Sequence, residues 1–186
     1  MRVISGSAKG HKLNAPEGLH TRPITDQIKQ ALFNSWQFMI RGCDFLALFS
    51  GSGSMGIEAM SRGARYTVMV DNDTTAITVI QGNIKACKLN ACNHKVCKED
   101  VFASIARMVS NKETFDIIYL DPPFTVESIF HPVMEALSDG KLLKEDGLIA
   151  IRTPKELELN DEYGVLIRYK QKKYGISMMH FYEVKK

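Results

Sequence analysis

The four residues Asp121-Pro122-Pro123-Phe124 form the most specific chemical motif in the chain, and they directly follow the apolar run Phe115–Leu120. An apolar run of this length is typical of a buried strand, so the motif lies where a strand ends. The two prolines stiffen the turn and lack N–H groups. The Asp121 carboxylate and the Pro122 carbonyl are therefore left as hydrogen-bond acceptors.

Two acceptors are what an exocyclic amino group needs for its two hydrogens, and the Phe124 ring offers a stacking surface for a base that has left its helix. Holding both hydrogens could turn the nitrogen lone pair toward a sulfonium methyl group. The motif therefore predicts a catalytic site for methyl transfer to a base. A proline-rich turn with a solvated Asp121 is the alternative.

A glycine-rich loop, Phe49–Gly56, follows an earlier apolar run and opens a helical pattern. Glycines permit a tight turn and close approach of a ligand to the backbone, so we expect a cofactor at Phe49, Gly51, Ser52 and Gly53. Alone, the loop fits a dinucleotide as well as S-adenosylmethionine. It is not a P-loop, because no Gly-Lys-Ser/Thr follows it.

Two aspartates follow the next two strands. Asp71 ends the run Val68-Met69-Val70 and could accept both ribose hydroxyls of the cofactor, whereas Asp73 is better placed to cap the following helix. Asp100 could accept an adenine amino group or could cap a helix, and the sequence leaves both roles open.

Short apolar runs alternate with helical patterns along most of the chain, which predicts a parallel sheet covered on both faces. The predicted strands are 44–49, 66–70, 95–98, 115–120 and 148–151, and the predicted helices are 55–62, 73–88, 100–109 and 126–137. A terminal antiparallel hairpin, 165–171 and 176–184 around Lys172–Gly175, closes the sheet. This α/β pattern resembles the Rossmann-like fold of class I S-adenosylmethionine-dependent methyltransferases more than the dehydrogenase fold.

The N-terminal part of the chain carries the excess of positive charge. The net charge is +3, and residues 1–42 hold six basic residues (Lys and Arg) against two acidic residues. A localised basic segment is the expected footprint of phosphate binding, although a solvated surface has the same composition. We expect residues 1–24 to be an RNA-binding extension, with short strands at 2–5 and 11–15, and residues 25–186 to be the methyltransferase domain. Thr25 is expected to cap a helix whose apolar stripe includes Trp36.

Composition sets the broad class. With 45% hydrophobic residues, the 186-residue chain can bury a core, and it lacks the roughly 18-residue apolar run of a membrane helix. No signal-peptide pattern opens the sequence, so we expect a cytoplasmic protein. The four cysteines lack zinc-site spacing, so we expect reduced thiols and no metal.

With these motifs in place, nearly the whole chain resembles the RsmD-type family of 16S ribosomal RNA guanine-N2 methyltransferases. The matching segments are Arg2–Gly6, Gly10-x-Lys12-Leu13, Thr21–Asp26, Ala31–Asn34, Phe49–Glu58, Ser61–Ala64 and Asp121–Phe124. The Thr-Arg-Pro-x-Thr-Asp segment is the most telling, because many methyltransferases share the glycine loop but few share this segment.

The resemblance implies a monomeric enzyme that uses S-adenosylmethionine and acts on 16S rRNA in the small ribosomal subunit or its assembly intermediate. It implies cofactor contacts that include Asn34 and Asn72, and substrate contacts at Lys9, Lys12, Arg22, Thr25 and Phe124.

Three departures from the family pattern stand out. An acidic residue is usual where the first strand has Ala47, Thr and Arg are usual at Ile24 and Gln27, and Tyr is commoner at Phe124.

Three other functions remain open. These are an adenine-N6 methyltransferase, a non-catalytic ribosome-binding protein with weakened cofactor binding, and a dinucleotide oxidoreductase.

Overall fold

A computed structural model describes residues 1–17 and 23–186 of the chain. The helices are α1 (Asp26–Ser35), α2 (Ser54–Ser61), α3 (Thr74–Ala86), α4 (Val101–Ser110) and α5 (Phe130–Ala136), with a 3-10 turn at Glu127–Ile129. The strands are β1 (Asp44–Leu48), β2 (Tyr66–Asp71), β3 (His94–Lys98), β4 (Phe115–Leu120), β5 (Leu143–Pro154), β6 (Glu162–Tyr163), β7 (Leu166–Tyr174) and β8 (Ser177–Val184).

The described strands form one sheet in the order β3-β2-β1-β4-β5-β8-β7-β6. Strands β1 to β5 are parallel, whereas β6, β7 and β8 pair antiparallel. Leu48 of β1 lies beside Val70 of β2 and Leu120 of β4, so these three strands end at the same edge. The predicted Rossmann-like sheet with a C-terminal hairpin is confirmed, and the loops after β1, β2 and β4 meet.

Both faces of the sheet are buried, and each belongs to its own apolar cluster. Along β1, Phe45 and Ala47 face the cluster under α1 to α3, whereas Leu46 and Leu48 face the cluster under α4 and α5. Trp36 is 2% exposed, and its ring lies 5.3 Å from that of Phe33 between centroids. Trp36 therefore packs in the core, as its position in the apolar stripe predicted.

The helix predicted at 126–137 is wrong in its first part. A 3-10 turn covers Glu127–Ile129, and α5 begins only at Phe130. Pro132 explains the break, because its ring would clash with the carbonyl four residues earlier and it has no N–H to donate there. Within α5, Pro132 sits in the first turn, where a missing N–H is tolerated.

Two other boundaries differ from the prediction. β5 begins five residues earlier than expected, at Leu143. The hairpin turn is Gly175-Ile176, flanked by the pair Tyr174 and Ser177, because Gly175 takes the positive φ of 58° that a two-residue turn requires. The predicted turn residues Lys172 and Lys173 therefore belong to β7.

The N-terminal segment is a small hairpin closed by one antiparallel bridge between Arg2 and Lys12, shorter than the two predicted strands. Val3, Ala8 and Leu13 are buried in the cluster under α1 to α3. At Gly6 the backbone has φ +86°, and a Cβ would lie 1.8 Å from the carbonyl oxygen of Ser61. Only glycine lets the segment lie this close to α2.

A buried charged cluster joins this segment to α1 and α2. Glu58 and Lys29 are fully buried, with their charged atoms 3.4 Å apart, and Arg62 Nε donates to Glu58 at 2.7 Å. The N–H groups of Ile4 and Ser5 donate to the two Glu58 oxygens at 2.8 and 3.0 Å. Glu58 and Arg62 thus form an i,i+4 pair at the end of α2, and Lys29, one of the six basic residues of 1–42, faces the interior.

No helix in the ranges 1–17 and 23–186 is both long and apolar enough to cross a membrane. The same ranges contain no group of three or more His, Cys, Asp or Glu side chains arranged to hold a metal ion. Cys43, Cys87 and Cys97 are buried thiols, and burial raises the pKa of each.

The buried cluster predicts a large stability loss for Glu58→Gln. The substitution leaves Lys29 buried without its charged partner, and breaking a buried pair on one side costs about 3–5 kcal/mol. Urea unfolding at neutral pH should show a drop of about 3 kcal/mol, whereas the exposed control Glu145→Gln should unfold like the wild type. Equal midpoints for Glu58→Gln and the wild type would contradict this role.

Candidate active site

A pocket opens at the edge of the sheet where β1 and β4 end. The described residues that line it come from the part of the chain before α1, from β1 and the loop after it, from the start of α2, and from the ends of β4 and β5. They are Met1, Ala15, Pro16, Pro23, Ile24, Ala47, Phe49, Ser50, Gly51, Ser52, Ser54, Met55, Tyr119, Asp121 and Arg152. The structure thus brings together the glycine loop and the Asp121 motif. This is the edge at which open parallel sheets bind ligands.

The loop after β1 is a succession of positive-φ residues. Phe49, Gly51 and Gly53 have φ values of 58°, 54° and 75°. At Gly51 a Cβ would meet no atom within 4 Å among the described residues, so the backbone there is open to a ligand. Phe49, a non-glycine residue in this region, is strained, and such strain concentrates at functional sites. Phe49, Gly51 and Ser52 line the pocket, whereas Gly53 precedes α2 and packs near Ile80.

Asp71 holds the glycine loop in place. Its two carboxylate oxygens accept from the N–H groups of Gly51 at 2.8 Å and Asp73 at 3.0 Å. Each oxygen keeps a further lone pair, so the ribose role remains a prediction. The neighbouring Asn72 is exposed. Asp73 caps α3 by accepting from Thr75 and Ala76, which confirms the capping assignment made from the sequence.

Two further residues predicted to bind the cofactor lie at the surface. Asp100 caps α4 by accepting from the Ala103 N–H at 3.0 Å. Of the two roles that the sequence left open for Asp100, the structure shows the helix cap, and the adenine contact stays a prediction. Asn34 is exposed in α1 and is not among the residues that line the pocket.

The Asp121 carboxylate lies in the pocket with two side-chain partners. Arg152 Nε donates to Oδ1 at 2.7 Å, and the Tyr119 hydroxyl donates to Oδ2 at 3.3 Å. The Asp121 N–H donates to the Leu48 carbonyl at 3.3 Å, which fixes the motif against the end of β1. The side chain of Asp121 is 19% exposed and that of Arg152 only 6%. Asp121 is therefore paired and largely buried rather than solvated.

Phe124 is half-buried beside the same arginine. The Arg152 guanidinium carbon lies 5.0 Å from the centroid of the Phe124 ring, and the Phe130 centroid lies 6.4 Å from it. Pro122 is buried and Pro123 is partly buried, so the turn is rigid. Arg152 thus bridges the acceptor and the aromatic ring of the motif.

Burial raises the pKa of the Asp121 carboxyl above its usual range, and Arg152 and Tyr119 oppose that rise. Burial also raises the pKa of Tyr119 well above that of an ordinary tyrosine, and the Asp121 charge adds to the effect. Tyr119 therefore keeps its proton and donates it in the hydrogen bond to Asp121.

The N-terminal segment forms part of the pocket wall, which the sequence did not predict. Met1, Ala15, Pro16, Pro23 and Ile24 all line the pocket. Asn83 of α3 ties this wall to the loop, because its side-chain amide donates to the carbonyls of Asn14 and Ser52, each at 2.9 Å. Neither Asn83 nor Arg152 belongs to a motif, so no local signal could have revealed them.

The described residues predicted to bind substrate come from the N-terminal hairpin, the start of α1 and the turn after β4. Lys9 and Lys12 are exposed on the N-terminal hairpin. Thr25 caps α1 by accepting from the Ile28 N–H at 3.3 Å. Arg22 lies outside the described residues.

The sheet order, the glycine loop after β1 and the Asp-Pro-Pro-Phe turn after β4 define a class I S-adenosylmethionine-dependent methyltransferase. Comparisons with known proteins agree. The sequence profile of the family described as "Conserved hypothetical protein 95" matches residues 1–183. The chain belongs to this family and is of the RsmD type.

The relatives match along almost their whole length. YlbH of Bacillus subtilis (strain 168) is 34% identical over 183 residues, which cover 98% of each chain. Ribosomal RNA small subunit methyltransferase D of Haemophilus influenzae is 29% identical, with 98% of this chain and 93% of that protein covered. The solved structure of yhhF from Escherichia coli has a TM-score of 0.84 at 27% identity and covers 100% of this chain and 98% of that one.

The Arg152–Asp121 contact predicts a change in the titration of Asp121. Arg152→Met removes the charge that opposes the effect of burial, so the pKa of Asp121 should rise further. Carbon-13 NMR of the Asp121 carboxyl across a pH series measures this directly. Arg152→Lys, which keeps a cation, should titrate closer to the wild type. An unchanged Asp121 titration in Arg152→Met would contradict the pairing.

Proposed function

We propose that this protein transfers a methyl group from S-adenosylmethionine to the exocyclic N2 of a guanine in 16S rRNA of the small ribosomal subunit. The observation that carries the proposal is the Asp121 carboxylate, held at the pocket by Arg152 and by the end of β1. The name of the Haemophilus influenzae relative supports ribosomal RNA of the small subunit as the substrate.

The residues of the pocket fit this cofactor with one exception. Gly51 lines the pocket with open backbone, and Asp71, which is not itself a lining residue but accepts from the Gly51 N–H, keeps lone pairs for ribose hydroxyls. When bound, S-adenosylmethionine supplies a methyl group on a sulfonium. The exception is Ala47, which lines the pocket where a carboxylate would attract the ammonium of the methionine part.

Asp121 and Pro122 orient the acceptor nitrogen. The Asp121 carboxylate and the Pro122 carbonyl accept the two hydrogens of the guanine amino group, and Phe124 stacks against the base. This arrangement turns the nitrogen lone pair toward the methyl group, so catalysis rests on positioning. Transfer would form the nitrogen–carbon bond while the methyl carbon–sulfur bond of the cofactor breaks and a neutral thioether leaves. The extra proton on the nitrogen would pass to Asp121 or to solvent.

The N-terminal segment supplies part of the RNA contact in this proposal. Lys9 and Lys12 are exposed. We propose residues 1–24 as the extension that would hold the phosphates. The same segment lines the pocket with Met1 and Ile24, so it would place the RNA beside the site of transfer.

A second function has specific support. Ala47 removes a contact for the cofactor, and Arg152 already occupies one oxygen of Asp121. Ala47 favours weakened cofactor binding, and the Arg152 contact competes with an incoming amino group, so together they favour a non-catalytic ribosome-binding protein. Methylation of purified small subunits with labelled cofactor, followed by mapping of the modified base, separates the two functions and also distinguishes guanine N2 from adenine N6.

Asp121→Ala should abolish most methyl transfer while the protein stays folded, with a lower free energy of unfolding because the buried Arg152 loses its carboxylate partner. The variant loses the carboxylate that positions the amino group, and we expect a drop in rate of about 100-fold or more. The measurement is single-turnover methylation of small subunits, with unfolding curves to check the fold. Asp139→Ala, at an exposed turn far from the pocket, is the matched control. A folded Asp121→Ala protein with near-normal rates would refute the assignment.

Ala47→Asp should tighten S-adenosylmethionine. A charge-assisted hydrogen bond contributes about 1.5–3 kcal/mol, which corresponds to roughly 10- to 100-fold in affinity. Calorimetric titration of the wild type, Ala47→Asp and the uncharged, similarly sized Ala47→Asn measures the effect of the charge alone. Low-micromolar binding by the wild type with no gain in Ala47→Asp would mean that another group holds the ammonium.

A further inference from the structure

The β7–β8 hairpin carries a cluster of lysines that the mechanism above does not use. Lys170, Lys172 and Lys173 are all exposed on β7. Within the described part of the chain, none of them lies within 4.0 Å of a carboxylate oxygen, whereas Arg168 on the same strand is paired with Asp161. Three cations without carboxylate partners give this surface a local positive potential.

Aromatic rings alternate with these lysines. Lys170 Nζ lies 5.5 Å from the centroid of the Phe181 ring, and Lys172 Nζ lies 5.1 Å from that of Tyr174. Tyr169 lies against the same Phe181, with centroids 6.2 Å apart, and is 45% exposed. Phe181 itself is buried and Tyr174 is partly buried, so Tyr169 is the exposed ring beside these cations. Exposed aromatic rings beside cations are typical of surfaces that bind single-stranded nucleic acid, because phosphates meet the cations and bases stack on the rings.

A groove connects the hairpin to the active-site pocket. Lys173, Tyr174 and Ile176 line one side of it, and Pro23 and Gln27, at the start of α1, line the other. Pro23 and Arg152 line both this groove and the active-site pocket. A strand with one base in the pocket could therefore continue along the groove onto the hairpin.

We propose that the hairpin surface, formed by Tyr169, Lys170, Lys172, Lys173 and Ile176, binds the single-stranded RNA that flanks the target nucleotide. The inference rests on the proposed RNA substrate and adds a second phosphate-binding surface to the N-terminal segment. The lysines contact phosphates, and Tyr169 stacks on a base. The groove that leads to the pocket favours the substrate strand over a separate acidic partner.

The test neutralises the three lysines together. Lys170→Gln/Lys172→Gln/Lys173→Gln should weaken binding of a short fluorescein-labelled single-stranded RNA by about tenfold or more and reduce the salt slope by roughly two to three. The matched control, Lys85→Gln/Lys88→Gln/Lys95→Gln, removes three exposed lysines near the opposite edge of the sheet and should bind like the wild type. Equal affinity and slope for the hairpin variant and the wild type would overturn the proposal.

Tyr169 gives an independent measurement on the same RNA. Loss of one base–ring stack corresponds to about 5- to 100-fold in affinity, so Tyr169→Ala should bind more weakly, whereas Tyr169→Phe should retain binding. Equal loss in both variants would show that the ring does not stack. If the lysine variant lost binding to phosphatidylserine vesicles but kept RNA binding, the surface would bind lipid and the proposal would fail.

Methylation separates this inference from the proposed function. If the wild type methylates small subunits and the hairpin variant binds RNA as well as the wild type does, only the inference about the hairpin is contradicted. A wild type that binds RNA through the hairpin but transfers no methyl group contradicts the proposed function alone.

Discussion

The buried carboxylate of Glu58 is the interaction on which the shape of the pocket depends. A carboxylate inside the protein must have its oxygens hydrogen-bonded and its charge balanced. Glu58 obtains this from the N–H groups of Ile4 and Ser5 and from Lys29 and Arg62. Because Ile4 and Ser5 belong to the N-terminal segment, the charge is fully satisfied only when that segment is docked on α2. The docked segment places Met1 in the pocket wall, so folding of the core and completion of the pocket are coupled.

The second constraint is the register of β1 and β4, which brings the glycine loop and the Asp121 motif to one edge of the sheet. Asp121 is bound to Leu48 through the backbone and to Arg152 through its side chain. Arg152 has two opposing effects. It compensates for the burial of a carboxylate, and it occupies an acceptor oxygen beside the ring on which a base would stack. An incoming amino group must therefore share Asp121 with Arg152.

The sequence predicted what short-range patterns determine. Alternating apolar runs and helical stripes predicted the parallel sheet, and the bounds of β4, Phe115–Leu120, were predicted correctly. The error at 126–137 came from extending a helical pattern through Pro132. A helix that begins more than one turn before a proline cannot continue through it without a break. Arg152 could not be predicted, because it reaches Asp121 only through the pairing of β5 with β4. Counting charges also overstated the exposed positive charge of the N-terminal part, since Lys29 points inward. The same count missed the β7 lysines, because acidic residues elsewhere cancel their charge in the total.

We propose that one pocket, at the ends of β1 and β4, holds the cofactor beside Asp121. A crystal structure of the protein with S-adenosylhomocysteine tests it most directly. We expect the ligand to lie against Gly51 and Asp71 with its sulfur facing Asp121 and Phe124, and we expect Met1 and Ile24 to cover it. A ligand bound elsewhere, or a pocket that excludes the ligand at saturating concentration while Arg152 keeps its contact with Asp121, would contradict the claim.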